Sequence, residues 1–175
     1  MAADTWDLAS LESGRAGLTP AEACSLVEAA AVCFEATGAK TTVQLALTGE
    51  FGGTMTLRVP RVTDQIRRTY ADVVHAVERG ACAVAALLCE RQMGMSIVEQ
   101  SWRGGAFDYW LGESAGELFQ RKAKLEVSGI LRGDVSHVRR RLMEKLGRLP
   151  AGDSPWTTWI VVVEFSQPSA NAVRR

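Results

Sequence analysis

The sequence has no surplus of either charge. Lys plus Arg number 20, Asp plus Glu number 20, and the formal net charge is zero. Without a global basic field, any patch for a nucleic acid has to be local. Histidine is scarce: His75 and His137 are the only two, and neither has a cysteine at zinc-ligand spacing. Cys24, Cys33, Cys82 and Cys89 form no C-x-x-C pair. They sit among Ala, Val and Leu on two expected helices, which suits small buried thiols in a reducing cytoplasm. No apolar run is long enough to span a bilayer. The longest, residues 80–89, is followed by Glu90 and Arg91, so no membrane partner is expected. The first fifteen residues are acidic and hold no apolar stretch of signal-peptide type, so a cytoplasmic location is expected. Gly49, Gly52 and Gly53 fit a hairpin turn, not a phosphate loop. Ser114, Ser128 and Ser136 lack the context of a nucleophile elbow, so serine hydrolysis is not expected.

What is present suits one folded domain. The chain has 175 residues, 47% hydrophobic and 23% charged, the balance of a globular protein. Thr19-Pro20 is a helix start, and Gly38 stops that helix near Thr37. Residues 41–48 and 54–59 alternate in the strand manner and form a hairpin. Thr63 or Asp64 caps a long helix expected over 65–93, bent near Gly80. Strands are expected over 95–102, 107–111 and 122–131, and a helix capped by Asp134 over 134–146. A last strand covers 156–165, where Ile160 to Val163 read as buried on both faces. The expected organisation is a flexible arm over 1–18, a helix plus hairpin over 19–62 packed on the core, an α/β core over 63–166 and a frayed tail over 167–175. The fold class is α/β: a mixed β-sheet flanked by helices, with an α-β-β-β-α-β core preceded by a helix and a β-hairpin.

Two expected strands each carry one acid in an apolar setting, Asp108 and Glu126. A carboxylate in such a place is costly unless it is paired or binds a metal. Two carboxylates on adjacent strands can converge on a hard divalent cation, with Glu99 on the neighbouring strand as a further ligand. Basic residues gather nearby. Arg139, Arg140, Arg141, Lys145 and Arg148 lie on the expected helix, and Arg121, Lys122 and Lys124 precede Glu126. Of these, Arg139, Arg140, Lys145 and Lys122 are the candidates for phosphate contacts. The structural alternatives are an Asp108 that faces water, a Glu126 paired with Lys124 or a helix arginine, and a solvated basic helix face. Trp102, Tyr109, Trp110, Trp156 and Trp159 suit core packing, with base stacking open to any that is exposed.

The element order, with one acid on the second strand and one on the third, resembles the PD-(D/E)xK nuclease superfamily over a little over half the chain. That resemblance implies a small mixed sheet in which Asp108 and Glu126 bind Mg²⁺ and hydrolyse a phosphodiester. In that family a lysine two residues after the glutamate assists the attacking water. Here the motif reads Leu125-Glu126-Val127-Ser128, so Ser128 stands at the lysine position. Lys124 and Lys122 share a strand face with Glu126, and Lys124 is the candidate substitute. The family's proline before the first acid is also replaced, by Phe107. The phrases FDYWLG, LEVSGIL and VVVEFS are similar to those of small uncharacterised bacterial proteins associated with defence or conflict systems. The implied function is a Mg²⁺-dependent nuclease. The alternative is a catalytically inactive adaptor whose partner is another protein or a second copy of the chain.

Overall fold

Each of the main helices starts where a side chain meets its free backbone N–H groups. Thr19 Oγ1 accepts from the Glu22 N–H at the start of α1 (Pro20–Ala36). Thr63 Oγ1 accepts from Ile66 at α2 (Asp64–Thr69). Asp134 accepts from His137 at α4 (Val135–Arg148), and His137 Nδ1 accepts from the Asp134 N–H in return. In this computed structural model, which describes residues 5–102, 104–113, 120–150, 152 and 154–175, those helices join α3 (Val74–Leu88) and eight strands. The strands are β1 (Thr5–Asp7), β2 (Thr42–Gly49), β3 (Thr54–Arg58), β4 (Met95–Gln100), β5 (Tyr109–Glu113), β6 (Ala123–Ile130), β7 (Thr157–Glu164) and β8 (Ser169–Arg174). They form one mixed sheet in the order β1-β3-β2-β8-β7-β6-β5-β4. The sequence α3-β4-β5-β6-α4-β7 is the α-β-β-β-α-β succession read from the chain. Its β4, β5 and β6 are antiparallel neighbours, and β7 lies parallel to β6. Arg103 and Ser114 lie outside the described residues.

One face of the sheet is covered by α1 and α3, the other by α4. β7 shows both environments: Val161 and Val163 belong to the large core under α1 and α3, whereas Ile160 and Val162 pack with Val138 and Leu142 of α4. Alanines let α1 and α3 approach closely. A Cβ at Gly80 would stand 2.9 Å from the Ala30 Cα, so that glycine marks a close helix crossing, not the expected bend. Burial pushes the Cys33 and Cys82 thiols up to about 12, which leaves them protonated packing groups at neutral pH. No helix among the described residues is long and apolar enough to cross a membrane.

Three expectations are corrected. The long helix over 65–93 is interrupted between Thr69 and Val74. Asp72 Oδ1 takes the Val74 N–H and so starts a new helix, a local bond that competes with helix continuation. The arm is ordered from Thr5 onward: β1 pairs with β3, and Trp6, Leu8, Leu11 and Leu18 are buried. The expected frayed tail contains β8, an interior strand between β2 and β7. Its inward residues, Ala170 and Ala172, are too small for their alternation with Ser, Asn and Val to announce a strand.

Candidate functional site

The register of β5 against β6 pairs Tyr109 with Leu125, Trp110 with Lys124 and Leu111 with Ala123. That pairing ends at Tyr109 and Leu125, so Asp108 stands one residue before it on one strand and Glu126 one residue after it on the other. Asp108 lies just before β5, not inside it, yet its backbone is held on both sides. Its N–H donates to Leu125 O at 2.8 Å, and its carbonyl accepts from Ser101 N–H at 2.8 Å. The Asp108 carboxyl lies close enough to Glu126 to disfavour its ionisation.

Beyond Asp108 the chain turns away from β6, which leaves β6 backbone donors without a partner strand. Carboxylates take them: Asp108 Oδ2 accepts from the Val127 N–H at 2.8 Å, and Glu78 Oε2 from the Gly129 N–H at 3.1 Å. Each bond satisfies a donor that would otherwise be orphaned at a sheet edge. Glu78 reaches that edge because α3 lies hard against Gly129, where a Cβ would stand 2.5 Å from Val77 O. Gly129→Ala is therefore expected to destabilise the protein by about 1–3 kcal/mol through overpacking. Urea unfolding checks this, and an unchanged midpoint would show that the helix can shift freely.

The fourth side of the site comes from α4. It packs its apolar stripe on β7 and turns Arg141 and Lys145 toward β6. Lys145 Nζ meets Glu126 Oε1 at 2.5 Å, and an Arg141 N–H meets Ser128 Oγ at 2.7 Å. The pairing runs in opposite directions along the two elements. Four residues of helix rise about 6 Å, and two residues of strand about 6.6 Å, so the helix and strand steps match. Lys145 and Glu126 side chains are only 16% and 13% exposed. Ser128 is fully buried, and its hydroxyl also faces Glu78 Oε1 at 3.4 Å. Burial raises the Glu126 carboxyl most. The Lys145 hydrogen bond opposes that, the nearby Asp108 charge adds to it, and the result is about 7.

The remaining predicted residues lie around this centre. Glu99 is engaged by Arg121 through two hydrogen bonds of 2.8 and 2.7 Å, so its carboxylate is committed to that guanidinium. Lys124 directs its ammonium over the rings of Phe107, Trp110 and Trp156, not onto the acids. Lys122 is exposed and lies 3.9 Å from Glu113. Arg139 and Arg140 are exposed, with Arg140 facing Glu144 along the helix at 3.9 Å. Of the basic residues singled out for phosphate, Lys145 alone is bonded to the acid pair. Glu78 escaped the sequence reading; its signal is a single acid beside the Val77 and Ala81 core positions of α3.

Two carboxylates with water completing the shell are a donor set that suits Mg²⁺, which is commonly held by one or two carboxylates. Among the described residues no group of three or more His, Cys, Asp or Glu is arranged to hold a metal. No protein-family model, curated protein or solved structure matches the chain.

Proposed function

We propose that this protein is a divalent-cation-dependent phosphodiesterase acting on nucleic acid. The observation that carries the reading is the cross-strand Asp108–Glu126 pair with the Lys145 ammonium bonded to it. Asp108 and Glu126 would hold Mg²⁺, which when bound supplies Lewis-acid polarisation of a phosphate oxygen. The chain's own residues do the rest. Lys145 fixes the Glu126 carboxylate and offers positive charge next to the reacting centre, where Ser128 has none to give. Arg141, one helical turn away, bonds Ser128 and lies 3.7 Å from Glu78 and 3.5 Å from Glu144, so it would reach a neighbouring phosphate by exchanging those carboxylates for it. Glu78 and Asp108 hold the edge of β6 rigid by taking its backbone donors.

The pH dependence of cation binding tests this. A cation must displace the proton on Glu126, so Mg²⁺ affinity is expected to rise steeply, by up to about tenfold per unit of pH, below about 7 and to level off above it. Titration calorimetry of the wild type and Asp108→Asn measures it. The variant keeps an acceptor for the Val127 N–H but loses the charge, and is expected to lose Mg²⁺ binding and cleavage together. Unchanged binding in Asp108→Asn would remove the metal site.

A second reading is an adaptor without catalysis. Exposed Val135 and Met143 on α4 favour it, because an apolar helix face suits a protein partner. It requires that the wild type neither binds Mg²⁺ at the acids nor cleaves any nucleic acid.

A further inference from the structure

Lys124 stands two residues before Glu126 on β6 and on the same face of the strand. Its ammonium lies 5.3 Å from the Phe107 ring centroid, 5.6 Å from Trp110 and 5.4 Å from Trp156. Lys124 Nζ also donates to Ser154 Oγ at 3.3 Å. Phe107 and Trp110 are buried and meet edge to face, with centroids 4.8 Å apart. Trp156 meets Trp110 edge to face in turn at 5.1 Å. It nevertheless stays 37% exposed. The cluster therefore holds Trp156 in one orientation from below and leaves part of the ring open. That open part lines a groove of about 400 Å³ together with Pro150, Pro155 and Arg175.

A second groove, of about 490 Å³, lies at the other end of the same strand and is lined by Gly129, Arg132 and Arg141, with Glu78 3.7 Å from the Arg141 guanidinium, where a phosphate would compete for it. Along β6 the order is Lys124 beside Trp156, then Glu126 beside Lys145, then Ser128 beside Arg141. Each step is about 6.6 Å, comparable to the interval between successive phosphates of an extended single strand. A rigid, partly open indole beside an arginine is the arrangement that stacks an unpaired base and holds its phosphate. A paired base offers no free face to such a ring.

We infer that this face takes single-stranded nucleic acid, with a base stacked on Trp156 and phosphates at Arg175 and Arg141, so that the phosphodiester between them lies at Asp108 and Glu126. The inference names the substrate class of the site proposed above and rests on that reading.

Fluorescence anisotropy with the full chain tests it, using labelled octathymidylate, octauridylate and a blunt DNA duplex in chelator, so that no cleavage intervenes. Both single strands are expected to bind more tightly than the duplex. Trp156→Ala should weaken them by about tenfold to a hundredfold, the range for losing one stacked base. Trp156→Phe should retain most of the affinity, which keeps the test valid if the alanine variant does not fold. Arg175→Gln and Arg141→Gln should each lower the slope of log affinity against log salt by about 0.7. Wild-type affinity in both Trp156 variants, or a preference for the duplex, would overturn the inference. Mg²⁺-dependent cleavage of the duplex with no role for Trp156 would do so while leaving the hydrolase standing. Trp156-dependent binding with no cleavage would support the strand site and remove the hydrolase.

Discussion

Under the proposed function, Glu126→Gln is expected to lower Mg²⁺-dependent cleavage by about a thousandfold or more, since it would remove a charged ligand from the reacting centre. The same substitution should stabilise the fold at alkaline pH. The folded chain holds the Glu126 proton up to about 7, whereas the ordinary value is 4.5. The stability that comes from this proton is complete below the ordinary value and is lost as pH rises through about 7. Glutamine keeps the neutral form at every pH and can still accept from Lys145. The variant should therefore match the wild type near pH 4.5 and exceed it at pH 8.5 by roughly 3 kcal/mol, the worth of a shift of that size. Urea unfolding at the two pH values measures the difference. Added Mg²⁺ should narrow it by stabilising only the wild type. A variant no more stable than the wild type at pH 8.5 would mean that Glu126 ionises there without cost.

Lys145→Met should act in the opposite sense at the same atom. It leaves the largely buried Glu126 beside Asp108 with no cation to offset it. Removing one partner of a buried ion pair typically costs about 3–5 kcal/mol. Here the acid can take a proton instead, so the loss depends on pH. Near pH 5 the variant should be close to the wild type, because Glu126 is neutral in both. At pH 8.5 it should lose about 2–4 kcal/mol, since the wild-type pair is formed and the variant has to bury either a bare charge or a proton held against its gradient. Lys145→Arg should recover part of the loss. Cleavage should fall in Lys145→Met even at the pH where stability is unchanged, which separates a role at the reacting centre from a purely structural one. Equal stability loss at pH 5 and 8.5 would show that packing, not the ion pair, is what Lys145 contributes.

Much of the local structure was determined by the sequence alone, because it depends on neighbours in the chain. Thr19-Pro20 and Asp134 start α1 and α4, and these caps act within three residues. Ile160 to Val163 read as a strand buried on both faces, and β7 is buried on both faces. The α-β-β-β-α-β succession followed from the same local periodicities, as did the mixed α/β class. Asp108 and Glu126 stood out as acids in apolar company.

Tertiary structure decided what those elements meet. Asp108 comes beside Glu126 through the pairing of β5 with β6 and through its own bonds to Leu125 and Val127, which are long-range contacts. Lys145 on Glu126 and Arg141 on Ser128 depend on how the crossover through α4 lays the helix over the sheet. Neither contact has a trace in local spacing. Glu78 reaches Gly129 only because α3 crosses β6 at a glycine. The β1 and β8 segments are strands only because partner strands accept them; their own residues carry too little apolar contrast to specify it. Local chemistry chose the elements, and the site arose where long-range pairing brought three of them, β6, α4 and the turn into β5, to one edge.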